Sequence, residues 1–133
     1  MARPRFFYRF PLDLGLKVHN FEADPLSLLL VARSPLPDMR LRGELVELPD
    51  GNGYERGGQF LAGQSWTEDR GVAQLQGDPV TWTASGRVGP IRGAVLVNGE
   101  VLVCWWEAGL PMALEAGDTL TAPFEGRMIL SIG

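Results

Sequence analysis

The sequence predicts an all-β fold: an antiparallel sandwich or barrel-like domain of about eight strands with an extended N-terminal arm. Its 17 glycines and 10 prolines divide the chain into short segments, none of which keeps a helical period over several turns. Many of these segments are rich in β-branched and aromatic residues. Two apolar segments flank Asn98-Gly99, a dipeptide typical of tight hairpins. We assign residues 1–24 to the arm and a connector, and residues 25–133 to the β domain.

Length and composition fit one globular domain. A chain of 133 residues is long enough to bury a core, and its 45% apolar and 21% charged residues are typical of folded proteins. No apolar window is long enough to cross a membrane, and Met1 to Arg5 lack the pattern of a secretory signal. We therefore expect no membrane partner.

The arm is an aromatic and basic segment from Arg3 to Phe10, closed by Pro11. Its prolines disfavour a central strand, and we expect residues 12–21 to form an irregular connector or one helical turn. So many aromatic side chains predict that residues 2–10 lie against another polypeptide, with arginines meeting carboxylates at the rim. The alternative is that the arm folds back as an edge strand on its own domain. The candidate partner-binding residues are Arg3, Arg5, Phe6, Phe7, Tyr8, Arg9 and Phe10.

The β domain opens with Leu26 to Arg33, whose leucines and valine predict a strand buried on both faces. Leu41 to Leu48 alternates in places and is predicted as the next strand. After a turn at Pro49 to Gly53, Tyr54 to Trp66 is predicted as a long strand. We expect it to bulge or bend at Gly57-Gly58, where missing side chains tolerate a close backbone neighbour.

The second half of the chain supplies the remaining strands. They are predicted at Val72–Gln76, Val80–Thr83, the hairpin Ile91–Trp106, Thr119–Phe124 and Arg127–Ile132. The hairpin is expected to turn at Asn98-Gly99 in a type I′ geometry, and the last two strands to form a closing pair. The predicted core residues are Leu28, Leu30, Val95, Val97, Val103, Leu120 and Ile129.

Adjacent tryptophans on a strand point to opposite faces of the sheet, which applies to Trp105 and Trp106. One can fill the core. The other emerges on the far side, which implies either a second layer or a contact with another molecule.

Charge is unevenly distributed along the chain. Residues 1–42 carry seven basic side chains against four acidic ones, whereas the rest carries five arginines against twelve acids. An acidic body argues against nucleic-acid binding, which requires a broad basic face. A basic N-terminal end fits an arm that docks on an acidic protein surface.

Candidate ligand sites are weak. The glycine-rich loop Gly51 to Gly58 is followed by a predicted strand, so it lacks the helix N-terminus that a phosphate site requires. Asp50, Asn52 and Glu55 do not follow the ligand spacing of a calcium loop. We expect no metal and no cofactor.

Candidate catalytic residues are equally sparse. Cys104 is the single cysteine and lies in an apolar run, so we interpret it as a buried thiol. His19 is the single histidine, and no Gly-x-Ser-x-Gly motif occurs. The carboxylate pairs Glu44–Glu47 and Glu68–Asp69 are typical of solvated surface charges. The sequence therefore predicts a protein that is not an enzyme.

An order of segments runs through most of the chain. Its members are Leu26–Val31, Gly53–Leu61, Asp78–Thr83, the hairpin Ala94–Trp105, and the Gly117-Asp118 turn leading to Ile129–Ile132. In this order the chain resembles a family of small virion structural proteins of tailed bacteriophages. It departs from the family's pattern at its start, where an aromatic-basic arm replaces a short amphipathic helix.

The resemblance implies a non-enzymatic building block of the phage particle, assembled in the host cytoplasm. The favoured interpretation is a capsid decoration (cement) protein, often a trimer, that binds the major capsid protein or another virion protein and bridges capsid subunits. The alternative is a tail or fibre component that binds a host receptor. A third hypothesis is a sugar- or ligand-binding β domain of cellular origin, which an exposed tryptophan platform would favour.

Overall fold

Antiparallel strands form most of the computed structural model, which describes residues 3–124 and 126–133. Strands account for 46% and helices for 7% of the structure, and the sheets are not closed into a barrel. The all-β prediction is therefore confirmed, and the barrel-like alternative is wrong.

Ten strands and one short α-helix follow one another along the described chain. They are β1 (Arg5–Phe6), α1 (Phe10–Gly15), β2 (Leu26–Val31), β3 (Gln59–Phe60), β4 (Ser65–Asp69), β5 (Val72–Gln76), β6 (Thr81–Thr83), β7 (Val88–Asn98), β8 (Val101–Leu114), β9 (Thr119–Thr121) and β10 (Met128–Ile132). The largest sheet has the order β1-β8-β7-β2-β3, and two smaller sheets have the orders β10-β5-β4 and β6-β9.

Strands β7 and β8 form the predicted central hairpin. Asn98 pairs with Val101, so Gly99 and Glu100 are the two turn residues. Gly99 has a φ of 61°, whereas Glu100 is not among the residues with positive φ. A positive φ at only the first turn residue is typical of a type II′ turn. The hairpin is confirmed, but its turn lies one residue later than predicted and is not type I′.

Both faces of the five-stranded sheet are buried. On one face, Leu28, Leu30 and Leu96 belong to a cluster that includes Leu75 of β5 and Ile129 of β10, so the two smaller sheets cover this side. On the other face, Leu29, Val31, Val95, Val97, Leu102 and Trp105 form a second cluster with Phe7, against which Met39 and Leu45 pack. The large sheet is thus the middle layer of the protein.

The tryptophan pair follows from this arrangement. Trp106 belongs to the first cluster and Trp105 to the second, and each is only 2% exposed. The Phe7 ring covers Trp105, with 4.5 Å between the ring centroids. Of the two predicted possibilities for the outward tryptophan, the structure shows the second layer.

Hydrogen bonds to side chains supplement the strand pairing at the edge of β2. The Tyr54 hydroxyl accepts a hydrogen bond from the Leu30 N–H (3.1 Å) and donates to a Glu47 oxygen (2.6 Å). The same carboxylate oxygen accepts the Gly57 N–H (2.6 Å), and the other Glu47 oxygen lies 3.9 Å from Arg42 Nη2. Burial and the Glu47 carboxylate raise the pKa of Tyr54, so it stays a neutral donor. The loop around Tyr54 is fastened to β2 by this network.

Two predicted strands are different in the structure. The segment Leu41–Leu48 contains a 3₁₀ turn at Arg42–Glu44 and only isolated bridges to the sheet. The long strand at Tyr54–Trp66 is divided into β3 and the start of β4, because Gly57, Gly58 and Gly63 adopt positive φ angles that extended strands do not have.

The predicted closing pair is also wrong, because β9 pairs with β6 and β10 pairs with β5. Local sequence does not set these partners; burial of apolar faces across the sandwich does. Of the predicted core residues, Leu120 is only half-buried against the core. The other six are buried: Leu28, Leu30, Val95, Val97, Val103 and Ile129.

The N-terminal segment folds back onto the domain. Strand β1 lies at the edge of the large sheet, where Arg5 pairs with Trp105 and Phe6 with Cys104. Helix α1 follows and supplies the predicted single helical turn. Phe10 and Phe21 are buried in the same cluster as the β strands, so residues 3–24 share a core with the β domain and are not a free arm.

Gly58 gives a direct test of this packing. It has a φ of 67°, and a Cβ atom there would lie 1.9 Å from the Leu28 carbonyl oxygen. Gly58→Ala is expected to lower the free energy of unfolding by about 3 kcal/mol. The added methyl group clashes with the backbone of β2, which cannot move aside as a flexible side chain can. Gly43, where a Cβ would meet nothing within 4 Å, is the control. Gly43→Ala should change stability by less than about 0.5 kcal/mol in urea denaturation, and equal effects of the two would refute the close approach.

Candidate partner-binding surface

The seven predicted partner-binding residues fall into two groups. Phe7 and Phe10 are only 1% and 3% exposed inside the chain's own core, so they cannot contact a partner without unfolding. Phe6 and Arg9 are half-buried, whereas Arg3, Arg5 and Tyr8 are exposed. The edge strand given as the alternative is therefore what the structure shows for Arg5–Phe6. Partner binding by the exposed residues stays a prediction.

A groove runs between this edge and the nearest small sheet. Arg3, Pro4 and Phe6 line one side, and Met128 to Ser131 of β10 line the other. Trp106 and Pro123 complete the lining of a volume of about 360 Å³. The groove exists because the sheets do not close into a barrel, and it joins two sheet edges.

The backbone of β10 supplies one wall of this groove. Within the described chain, β10 pairs only with β5, so its other edge has free N–H and C=O groups. Such an edge can accept an added strand from another polypeptide, with alternate side chains entering pockets. Its five residues span about 17 Å; Ile129 and Leu130 are only 2% exposed, whereas Met128 is half-buried and Ser131 is exposed.

The groove carries one basic side chain, the exposed Arg3. Arg5 is not part of its lining: its side chain is 66% exposed and lies 3.8 Å from Glu107, which accepts a hydrogen bond from Trp105 on the other face of the sheet. No described residue that lines the groove is a carboxylate. Arg3 is therefore available to an incoming carboxylate.

A second, shallower surface lies on the other side of the segment. Tyr8 and Leu12 are 74% and 53% exposed and line a depression of about 260 Å³ with Arg9, Asp38 and Arg40. Here Arg9 is engaged by a buried carboxylate, with 3.1 Å between its Nε and Asp13 Oδ1. Unlike the groove, this surface has no free strand edge.

A buried histidine, His19, packs near the end of the N-terminal segment, residues 3–24. The His19 ring lies between Phe10 and Phe21, at centroid distances of 5.7 and 5.5 Å. The Asn98 amide donates to Asp24 (2.8 Å) and to His19 Nδ1 (3.1 Å), so the ring proton is on Nε2, which is buried without a partner. Burial lowers the pKa of His19 below its ordinary value of 6.5, against the opposing effect of nearby carboxylates.

Sequence reasoning found the arm but missed the opposite wall of the groove. The alternation of Met128–Ile132 indicates a strand, and nothing in a single strand tells which of its edges stays free. Trp106 and Pro123 were missed for the same reason, since they meet the groove only through the pairing of distant strands.

The predicted loop ligands and the thiol have other roles. The Asp50 side chain accepts the Arg56 N–H, and the Asn52 amide donates to the Arg87 carbonyl, so both are used in loop contacts. Cys104 is fully buried, and burial raises the pKa of its thiol. Three of the four tryptophans are buried and Trp66 is half-buried, so the chain has no exposed tryptophan platform.

His19 predicts a pH dependence of stability. Because its pKa is lower in the folded chain, the unfolded chain binds more protons as the pH falls below about 6.5. The free energy of unfolding should therefore fall on acidification, by at most about 1.4 kcal/mol per pH unit, until the folded histidine is also protonated. His19→Gln keeps an acceptor for Asn98 and removes the titration. The free energy of unfolding of this variant, measured by urea denaturation, should not change between pH 7 and pH 5. If it falls with pH as steeply as that of the wild type, His19 is not the group responsible.

Other features give no second candidate site. Within residues 3–124 and 126–133, no group of three or more His, Cys, Asp or Glu side chains could hold a metal ion. The same residues include no helix that is both long and apolar enough to cross a membrane. Comparison of the chain with models of protein families, with curated proteins and with solved structures finds no match.

Proposed function

We propose that the chain is a non-enzymatic structural protein of a tailed-phage virion, a capsid decoration protein that binds the major capsid protein. The single observation that carries the proposal is the groove between β1 and β10, which has an exposed arginine, a strand edge that no described strand pairs with, and a lining that is both polar and apolar. The occupant that fits it is an extended, acidic segment of the capsid protein.

Three properties of the groove support this occupant. The β10 edge offers main-chain hydrogen bonds to a strand of any sequence. Phe6, Pro123 and Met128, which are half-buried, offer apolar contacts for side chains that point inward. Arg3, which lines the groove and is exposed, offers a charge-assisted contact for a carboxylate. Together these contacts hold a segment along its length, as a protein that bridges capsid subunits requires.

The order of sequence segments supports the virion assignment independently of the groove. The tail or fibre alternative has no groove-specific observation in its favour, and it predicts binding to host cells instead of to shells. The hypothesis of a sugar-binding domain lacks the observation that would favour it, because none of the four tryptophans is exposed.

Charge reversal at the rim tests the proposal. Arg3→Glu should weaken binding to purified shells that lack the protein by at least about tenfold, since the side chain at this position of the groove then repels an acidic segment. Co-sedimentation over a range of protein concentrations measures the binding. Wild-type binding should also weaken with added salt, because the charged groups are exposed.

The control is Arg56→Glu, which makes the same charge change on an exposed arginine close to β3, at the opposite edge of the large sheet. It should bind shells as the wild type does, and both variants should unfold at the same urea concentration. Equal binding by the Arg3→Glu variant and the wild type would refute the groove as the capsid site. Binding of the wild type to host cells but not to shells would refute the decoration role itself.

A further inference from the structure

A separate cavity lies between the large sheet and the β6-β9 sheet. Trp82, Ile91, Trp106 and Leu120 are among the side chains that line its volume of about 130 Å³. The lining is almost wholly apolar. A space of this size fits one aliphatic or aromatic side chain, and exposed Met112 and Thr121 mark its mouth.

A projecting leucine stands beside the mouth of this cavity. Gly93 pairs with Glu107 and Ile91 with Met112, so Arg92 alone on β7 lies opposite residues 108–111 on β8. The excess residues form a bulge. Its Leu110 is 80% exposed, which is the highest exposure of any large apolar side chain described.

The cavity and the leucine are next to each other in the same molecule. Ala108 and Met112 line the cavity, and Leu110 lies between them in sequence but leaves the cavity unfilled. If Leu110 enters the cavity of a second copy, that copy's Leu110 is brought to the cavity of the first. A contact that is reciprocal in this way has twofold symmetry and closes at two subunits.

The bulge itself is uncharged, since residues 108–114 carry no charge. Glu107, which precedes it, is engaged on the other face of the sheet, where it accepts a hydrogen bond from Trp105 Nε1 (3.3 Å) and lies 3.8 Å from Arg5. The surface around Leu110 and the cavity is therefore apolar, as the centre of a protein–protein interface is.

We propose that the chain forms a homodimer in which Leu110 of each copy fills the apolar cavity of the other. This contact goes beyond capsid binding and does not use Arg3. It gives each dimer two capsid-binding grooves, which lets one dimer bind two capsid subunits at once. A twofold dimer replaces the trimer that the family resemblance implies.

Two substitutions test the two halves of the contact. Leu110→Asp places a charge on the projecting side chain, and Ala108→Trp fills the cavity from its half-buried rim. The mass of the wild type, measured by sedimentation equilibrium across a range of concentrations, should be that of a dimer. Each variant should weaken dimerisation by at least about tenfold. Leu36→Asp, at a 59% exposed leucine in the segment that covers the opposite face, is the control and should stay dimeric.

Circular dichroism checks that the variants are folded, and Leu110→Ser replaces Leu110→Asp if the charge disturbs folding. A wild type that is monomeric throughout, or an oligomer of any size that survives both substitutions, would overturn the proposal. Shell binding distinguishes this failure from that of the proposed function, because a monomeric Leu110→Asp variant should still bind shells through its groove, only more weakly. If the Leu110→Asp variant still dimerises but no longer binds shells, Leu110 lies at the capsid contact, and the proposed dimer contact through Leu110 is overturned.

Discussion

The fold depends on the burial of the central strands on both faces. Strand β2 is buried at every residue, and the adjoining stretches of β7 and β8 carry apolar side chains on both sides. A sheet of this kind needs two covering layers, because each exposed apolar side chain would forfeit about 1.5–3 kcal/mol. One layer consists of the two small sheets. The other consists of Phe7 and of the segment that contains Met39 and Leu45.

The openings in this cover are the places where function can reside. A chain of 133 residues supplies enough short elements to cover both faces, but the seam between β1 and β10 stays open, and so does the cavity beside the bulge. Both openings are lined by Trp106 and Pro123. The two proposed contacts are therefore neighbours, one with an exposed arginine and directed at the capsid, the other apolar and directed at a second copy.

The sequence predicted those features that local chemistry decides. The positions of glycine and proline predicted the turns, and the run of leucines predicted β2. The missing side chain of Gly58 predicted that another backbone segment could approach it closely, which the Leu28 carbonyl of β2 does. The sequence did not predict which strands pair. Its local pattern fits a β9–β10 pair as well as the pairs that the structure has, β9 with β6 and β10 with β5. The candidate site was half-predicted: Arg3 of the first segment was named, but Phe7 and Phe10 belong to the core, and the β10 edge is a product of topology.

Hydrogen exchange along β10 tests the central claim most directly. In the free protein, those amides of Met128–Ile132 that point away from β5 should exchange faster than the amides of β2, which should exchange only on global unfolding. When the protein is bound to shells, the outward β10 amides should become strongly protected, because they now donate to a strand of the capsid protein. Unchanged exchange at β10, with protection appearing elsewhere on the surface, would contradict the groove as the site where this protein binds the particle.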